Sequence, residues 1–276
     1  MQDIYIIWLS GNIEDKEHEI IERKVDNYVI ATIITILNVI YLLFSIIQFS
    51  YLFTQIGVKA NFDYATYARS GFFELVFVSV INLILILVST TNRQKGTKEV
   101  EIYKKVMNVM LCVFNIIILI SSWYRMYLYE STYGYTTLRL LVYIGIFTEA
   151  ILLMITMLYI FKEKINILKY YFIVIVSVYV IINYMNMDNM IAKRNVDRYL
   201  FEGDIDYTYL IWDLSYDAIP QIIRLIENTR DSKMREYLIK YLQDCYYSRE
   251  THYSSWQEFN ISRIHAEKLI KEMDIL

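Results

Sequence analysis

Five long apolar segments occupy most of residues 28–187, and they constrain what this chain can fold into. A helix needs about 20 apolar residues to cross roughly 30 Å of hydrocarbon. Because hydrocarbon offers no hydrogen-bond partner, each backbone amide in such a segment must be paired within its own helix. The sequence therefore predicts an all-α fold, a polytopic membrane helix bundle with spans at residues 28–53, 72–90, 106–123, 138–161 and 170–187.

Composition agrees with a membrane protein and argues against several functional classes. The chain is 56% hydrophobic, whereas soluble domains average about 45–50% apolar residues. A net charge of −3 gives no reason to expect a nucleic-acid partner. We find no glycine-rich phosphate loop, zinc-helix motif or paired-cysteine motif, so we expect no cofactor. Cys112 and Cys245 predict no disulfide framework, and three scattered histidines predict no metal site: His18, His252 and His265.

Polar segments flank the predicted spans on both sides. Residues 1–27 are mostly charged, and their apolar residues at helical spacing predict a short amphipathic or solvated helix. No cleavable signal peptide is evident, so the first span is expected to act as the insertion signal. Residues 188–276 predict three short amphipathic helices that form a small C-terminal cap. The first has Asp217 as its cap and Pro220 in its first turn, and the others lie near 231–246 and 261–273. The apolar faces are predicted at Ile219, Ile222, Ile223 and Ile226 of the first helix and at Ile264, Leu269 and Ile270 of the third.

Basic residues in the short loops predict the orientation of the chain. The loops between spans two and three and between spans four and five hold eight lysines and arginines, against four in the opposite loops. This pattern predicts a multi-pass protein of the cell membrane, with residues 1–27 in the cytoplasm and residues 188–276 outside. Three basic residues that closely follow the fifth span oppose this orientation: Lys193, Arg194 and Arg198.

Aromatic residues are concentrated in the segment SSWYRMYLYESTYGYTT, at residues 121–137. Amphipathic rings favour the level of the lipid head groups, so an interfacial aromatic belt is a sufficient interpretation. A sugar-binding or lipid-binding aromatic cleft is the alternative interpretation of the same segment.

Two carboxylates fall inside the predicted spans. Glu149 lies near the middle of the fourth span and Glu74 near the start of the second. Charged groups at bilayer depth are costly, so they usually face a protein interior, a partner or water. Glu149 fits either a polar functional site between helices or a structural hydrogen-bonding group, and Glu74 is close enough to the boundary to reach the interface. Four asparagines predict hydrogen bonds across the bundle: Asn38, Asn82, Asn108 and Asn115.

An arginine stands just before the second predicted span. Tyr67 and Arg69 precede Ser70-Gly71, where a helix is expected to start. A helix amino terminus with serine, glycine and arginine attracts anions, including lipid phosphates. The alternative is an ordinary interfacial arginine.

Four local strings, in order, resemble the bacterial integral membrane family catalogued as domain of unknown function four-one-seven-three. They are YARSGFFEL at 67–75, NVDRYLFEGDIDYTYL at 195–210, LSYDAIP at 214–220 and WQEFNISRIHAEKLI at 256–270. The resemblance covers roughly residues 28–272 and carries no established activity. It implies a correspondence to the C-terminal part of the family, whose members often have further helices before this region. The chain is then expected to be either a complete functional unit or one that needs a partner subunit.

The resemblance also implies one external site, where the loop before the second span meets the tail. The motif residues map to Tyr67, Ala68, Arg69, Gly71, Phe72, Asn195, Arg198, Tyr199, Gly203, Tyr209, Leu210, Leu214, Ser215, Asp217, Ala218, Pro220, Trp256, Asn260 and Arg263.

The sequence favours a non-enzymatic envelope protein that binds or senses something at the outer face, or that scaffolds a membrane complex. Its expected partners are the lipid bilayer and other membrane subunits. One alternative is an enzyme for a lipid-linked or envelope substrate, with Arg69 holding phosphate and Asp217 or Glu74 as acid or base. Another is a proton-coupled carrier centred on Glu149. The candidate functional residues are Tyr67, Arg69, Glu74, Glu149, Arg198, Asp217 and Asn260.

Overall fold

The computed structural model of the chain describes residues 27–54, 62–91, 97–162, 165–203, 205–247 and 260–273. Its membrane region contains α1 (Asn27–Thr54), α2 (Phe62–Thr91), α3 (Lys98–Tyr133), α4 (Thr137–Phe161) and α5 (Ile167–Tyr184). All five are long and apolar enough to cross a membrane. The prediction of an all-α polytopic bundle with five spans is therefore confirmed. The helix predicted within residues 1–27 lies outside the described residues.

Several helices extend beyond the predicted spans. α2 begins ten residues earlier than predicted, and α3 has 36 residues, which corresponds to a length of about 54 Å. Hydropathy identifies only the apolar part of a helix, which lies in the hydrocarbon of the membrane. The polar ends of α3 were therefore not predicted. α5 ends at Tyr184 rather than at residue 187, because the Asn186 side chain accepts a hydrogen bond from the Asn189 amide and starts a new helix there.

α3 is the central helix of the membrane region, since it packs against α1, α2 and α4. Its buried residues form one hydrophobic core with residues of the three neighbouring helices. α5 packs against α4 and leaves most of its apolar surface exposed. An exposed apolar helix surface is stable in this setting because lipid tails solvate it.

The C-terminal domain is built from helices around a second hydrophobic core. They are α6 (Met187–Glu202), α7 (Tyr207–Trp212), a 3-10 turn (Tyr216–Ala218), α8 (Ile219–Asn228), α9 (Ser232–Tyr247) and α10 (Ile261–Glu272). Of these helices, only α8, α9 and α10 were predicted from the sequence. α6 was not predicted because it buries just three residues, Ile191, Ala192 and Val196, which is too few for a clear apolar stripe.

The predicted cap of α8 is wrong. Asp217 lies within the 3-10 turn, whose cap is Ser215, and α8 begins without a side-chain cap. Pro220 does lie in the first turn of α8, where its missing amide hydrogen leaves no bond unmade. The α10 cap is Asn260, whose side chain accepts from the Arg263 amide.

The inward face predicted for α10 is also partly wrong. Ile270 is buried as predicted, Leu269 is half-buried and Ile264 is exposed, and Ala266 and Glu267 are buried instead. On α8, Ile219, Ile222 and Ile226 are buried in the domain core as predicted, and Ile223 is partly buried against it.

Candidate functional site

The C-terminal domain docks on the short loop between α3 and α4. Asn195 of α6 pairs with both backbone groups of Tyr135: its Oδ1 accepts from the Tyr135 amide at 2.8 Å, and its Nδ2 donates to the Tyr135 carbonyl at 2.9 Å. The preceding residue, Gly134, has φ 81° and ψ −174°, a conformation that only glycine adopts readily. A Cβ atom on Gly134 would lie 2.9 Å from both Arg198 and Asn195. The loop therefore requires glycine for its backbone and for its contact.

Two further contacts hold the same junction. Arg198 donates from Nη2 to the carbonyl of Thr132 at 3.2 Å, and the Tyr209 hydroxyl accepts from the Thr137 amide at 2.9 Å. Side chains thus pair backbone groups that α3 and α4 leave open at their ends, as helix termini require. The C-terminal domain consequently lies at the same end of the bundle as the α3–α4 loop.

A large apolar pocket lies beside this junction, between α3, α4 and α6, with a volume of about 830 Å³. Its lining residues follow one stripe of α3 from Ile116 to Glu130 and one stripe of α4 from Leu140 to Met157. On α6 the lining includes Ile191. Both stripes repeat at intervals of three and four residues, so each occupies a single helix face. Nearly all of the wall within the membrane helices is hydrocarbon.

The pocket is open towards the surrounding lipid. Phe147 and Met154 line it while 67% and 66% of their surfaces are exposed on the outside of the bundle. The α3 stripe from Ile116 to Glu130 is about 21 Å long at 1.5 Å per residue. One leaflet of the hydrocarbon core is about 15 Å thick. The pocket therefore matches the depth of one leaflet and continues into the head-group level.

The end of the pocket next to the C-terminal domain is polar. It is lined by Glu130 in the last turn of α3, Tyr143 of α4, Tyr135 of the loop and Arg194 of α6. Arg194 donates to the Tyr135 hydroxyl at 3.0 Å and stacks over its ring at 4.9 Å from the centroid. The Glu130 carboxylate acts electrostatically on the phenols of both Tyr135 and Tyr143.

Both charges at this end act on Tyr135. Burial, followed by the nearby Glu130 carboxylate, raises the pKa of the Tyr135 phenol. The phenol therefore keeps its proton at neutral pH, and its oxygen accepts a hydrogen bond from Arg194. The arrangement presents one carboxylate and one guanidinium at the mouth of an apolar pocket.

Glu149 lies in a different place, in a buried polar network at the centre of the bundle. It is 6% exposed, accepts from the Ser79 hydroxyl of α2 at 2.9 Å and from the Asn115 amide of α3 at 3.4 Å. Asn82 in turn donates to Asn115 at 3.4 Å. The network joins α2, α3 and α4, which is the kind of interhelical hydrogen bonding expected of buried polar residues in a membrane.

Asn38 and Asn108, the other two asparagines predicted to bond across the bundle, also connect helices. Asn38 of α1 donates to the Met107 carbonyl of α3 at 3.1 Å, and Asn108 of α3 donates to the Ser89 hydroxyl of α2 at 2.9 Å. These contacts agree with the structural interpretation of the asparagines.

The predicted candidate residues do not form one cluster in the described part of the chain. Glu74 is exposed on α2, Glu149 lies inside the bundle, and Arg198 holds the domain junction, where it also pairs with Glu202 at 2.8 Å. Asp217 and Asn260 lie in the C-terminal domain. Tyr67 and Arg69 belong to α2, but their side chains lie outside the described part.

Chemistry based on a metal finds no support in the described ranges. No group of three or more histidine, cysteine or acidic side chains within them could hold a metal ion. The polar end of the pocket, by contrast, has charges of both signs and neutral donors.

Sequence reasoning did not select Glu130 or Tyr143, and it used Arg194 only as evidence about orientation. One feature of the sequence could have indicated Glu130 as a site residue. Glu130 is the only acidic residue between Glu101 and Glu149, and it stands among the tyrosines of the aromatic segment. Trp123 and Tyr127 of that segment line the pocket as well. The aromatic cleft considered as an alternative interpretation corresponds to this wall.

Comparison with protein families places this chain beside a family without an assigned activity. The family described as Domain of unknown function (DUF4153) matches residues 5–225, a range that includes all five membrane helices and extends into α8. Comparison with curated proteins and with solved structures gives no significant match. The match ends before the string at residues 256–270. The matched family also has a different number from four-one-seven-three, the family that the four strings were said to resemble. Because the match covers most of its length, the chain belongs to the DUF4153 family.

Proposed function

We propose that this protein is a non-enzymatic protein of a bacterial cell membrane that binds an amphipathic lipid in the pocket between α3, α4 and α6. One observation carries the proposal: an apolar pocket open to the bilayer ends in a polar site made of Glu130, Tyr135, Tyr143 and Arg194. A lipid has the same distribution of polarity, since its acyl chain is apolar and its head group is polar. The volume of about 830 Å³ falls within the range of roughly 300–1,000 Å³ that is typical of small-molecule sites.

The length of the pocket favours a lipid over a compact apolar ligand. The lining stripes run over about 21 Å of helix, which suits an extended acyl chain that enters from the leaflet. The exposed aromatic residues Trp123 and Tyr127 flank the opening, at the level where amphipathic rings contact lipid head groups.

The proposed orientation places residues 1–27 in the cytoplasm and the C-terminal domain outside, so the pocket belongs to the outer leaflet. The lysine-rich loops support it, as in the sequence argument. Arg194 and Arg198 closely follow the fifth span and so argue against this orientation, but both side chains form hydrogen bonds at the junction with the α3–α4 loop. A fluorescent reporter fused after Leu276 that becomes fluorescent only in the cytoplasm should give no signal, and a bright fusion would reverse the orientation.

A lipid-retention experiment tests the binding proposal. The full chain is purified in a mild detergent, and the lipid that it retains is measured by native mass spectrometry. Met154→Trp adds bulk at the pocket opening and should reduce retained lipid severalfold. Leu158→Trp makes a comparable change one turn further along α4, at an exposed position outside the pocket lining, and should retain lipid as the unmodified chain does.

Two results would contradict the proposal. Equal lipid retention by the Met154 and Leu158 variants would remove the pocket as the binding site. Conversion of a lipid or cell-wall precursor by the purified protein, lost in Arg69→Ala, would favour the enzyme alternative.

A further inference from the structure

The polar end of the pocket holds both an anionic and a cationic side chain. Glu130 and Arg194 line the same pocket, and no ion pair joins them in the described part of the chain. Arg194 instead donates to the Tyr135 hydroxyl at 3.0 Å, and the Glu130 carboxylate acts electrostatically on the same phenol. Both charges therefore lie around one tyrosine at this end of the pocket. A single small head group can therefore contact both.

Glu130 has the features of a site for an ammonium group. The residue is 5% exposed, and its neighbours at the pocket are the neutral phenols of Tyr135 and Tyr143. A carboxylate offers about four lone-pair sites, and two phenols can donate to at most two of them, so acceptor capacity is left for a ligand. Because a buried carboxylate without a cation is costly, a ligand ammonium that donates to Glu130 would gain a charge-assisted hydrogen bond.

Arg194 has the features of a site for a phosphate group. It is exposed at the mouth of the pocket, and its hydrogen bond to the Tyr135 hydroxyl uses one of its donors. A guanidinium has five N–H donors in a planar fork that matches the oxygens of a phosphate. Stacking on the Tyr135 ring fixes the plane of that fork.

We propose that the lipid bound here has a zwitterionic head group in which a phosphate and a primary ammonium are separated by a short linker, as in phosphoethanolamine. The phosphate contacts Arg194 and the ammonium contacts Glu130. This inference rests on the proposed function and adds the chemical class of the ligand to it. An anionic head group without an amine would place its negative charge near Glu130, and a neutral head group would leave both charges without partners.

A trimethylammonium head group provides a further distinction. It carries the same charge as a primary ammonium but has no N–H group, so it cannot donate to Glu130. It can contact tyrosine rings through cation–π attraction. A preference for the primary ammonium thus reports the hydrogen bond to the carboxylate.

Four single-chain lipids with the same acyl chain test the inference on the full chain in detergent. They are lysophosphatidylethanolamine, lysophosphatidylcholine, lysophosphatidylglycerol and monoacylglycerol, and their binding is titrated by native mass spectrometry. We expect the ethanolamine lipid to bind roughly tenfold more tightly than the glycerol phospholipid, the effect of about one charge-assisted hydrogen bond. Equal or tighter binding of the glycerol or choline lipid would overturn the inference.

Paired variants assign each charge. Glu130→Gln should remove the preference for ethanolamine over phosphoglycerol, and Arg194→Gln should weaken both phospholipids relative to monoacylglycerol. Glu227→Gln and Lys193→Gln are the controls, because both residues are exposed in the C-terminal domain and outside the pocket lining. Selectivity that survives Glu130→Gln would also overturn the inference. If a variant does not fold, the comparison of the four lipids on the unmodified chain still tests the inference.

The two proposals fail differently. If none of the four lipids binds, the proposed function and this inference are both overturned. If all four bind equally and Met154→Trp still weakens them, lipid binding holds and the zwitterionic class is wrong.

Discussion

Gly134 is the residue at which the membrane region and the C-terminal domain depend on each other most directly. Its backbone conformation favours glycine, and the missing side chain leaves room for Asn195 and Arg198. A residue with a Cβ would have to change the loop conformation and displace two side chains that hold the domain.

Gly134→Ala should therefore weaken the docking of the C-terminal domain. The backbone penalty alone is about 1–3 kcal/mol, and displacement of Asn195 adds to it. The measurement is limited tryptic proteolysis of the full chain in detergent, which should cleave the C-terminal domain faster in the variant.

Gly145→Ala is the matched control. Gly145 lies within α4, and a Cβ there would meet no heavy atom within 4 Å. The Gly145→Ala variant should be cleaved at the same rate as the unmodified chain, because alanine favours a helix more than glycine does and therefore does not weaken α4. Equal rates for the Gly134 and Gly145 variants would refute the role given to Gly134.

Glu149 carries a second prediction at the residue scale. Glu149→Leu should destabilise the bundle by roughly 1 kcal/mol relative to Glu149→Gln, because leucine leaves the Ser79 and Asn115 donors without their shared acceptor. The free energy of unfolding in mixed micelles with sodium dodecyl sulfate measures the difference. Thr148→Val is the control, since the Thr148 hydroxyl bonds within its own helix.

Two outcomes would revise this assignment. Equal stability of the leucine and glutamine variants would show that the hydrogen-bond network of Glu149 does not stabilise the bundle. A proton-coupled transport signal that is lost in Glu149→Gln would instead support the carrier alternative.

At the scale of single elements, several helices of the C-terminal domain begin at side-chain caps, although α8 does not. Asp206 caps α7 through the Thr208 and Tyr209 amides. Asp231 accepts from the Lys233 amide at 2.9 Å and the Met234 amide at 3.3 Å, directly before α9. These bonds pair amides that have no partner within the helix, so each cap determines where its helix begins.

Asp231→Ala should lower the stability of the C-terminal domain by about 1 kcal/mol. Asp217→Ala is the matched control, since the same side-chain atoms are removed from a residue that caps neither the 3-10 turn nor α8. Thermal unfolding followed by circular dichroism of the full chain compares the two. A larger loss of stability in the Asp217 variant would restore Asp217 as a structural cap.

Element types were predictable where apolar periodicity is strong, and element ends were not. α8 repeats its isoleucines at helical spacing, so its helix and its buried face were both predicted. α3 extends past its predicted span at both ends, because hydropathy does not register the polar turns of a continuous helix. α6 was missed because it has a mostly polar sequence and packs through Ile191, Ala192 and Val196.

At the scale of the whole molecule, two hydrophobic cores meet at the α3–α4 loop. Because the C-terminal domain follows the fifth span, it must lie on the side of the membrane where α3 ends. The contacts of Asn195 and Tyr209 with that loop agree with this connectivity. The pocket consequently lies between a membrane helix pair and an aqueous domain.

Cysteine labelling of sealed vesicles tests this arrangement. In a Cys245→Ser chain, Ser131→Cys and Glu227→Cys should react with an impermeant maleimide from one side, and Lys98→Cys and Lys162→Cys from the other. All four positions are exposed, while Cys112 is fully buried and should not react. Reaction of the Glu227 and Lys98 variants from the same side would contradict the fold.

The candidate site was predictable only in part. The aromatic segment 121–137 suggested a sugar-binding or lipid-binding cleft as one of two interpretations, and three of its aromatic residues, Trp123, Tyr127 and Tyr135, do line the pocket. Glu130 and Arg194 are 64 positions apart in the sequence, and nothing in either local segment indicates the other. Their proximity depends on α6 folding back over the α3–α4 loop.

The sequence by itself determined the membrane class and the number of spans, because the cost of unpaired backbone in hydrocarbon leaves a long apolar segment few alternatives to a helix. The tertiary structure decided where the polar groups meet. A pocket between α3, α4 and α6 exists only after side chains such as Asn195 dock the domain on Gly134 and Tyr135. Such contacts join residues that are distant in sequence, so neither composition nor local periodicity encodes them.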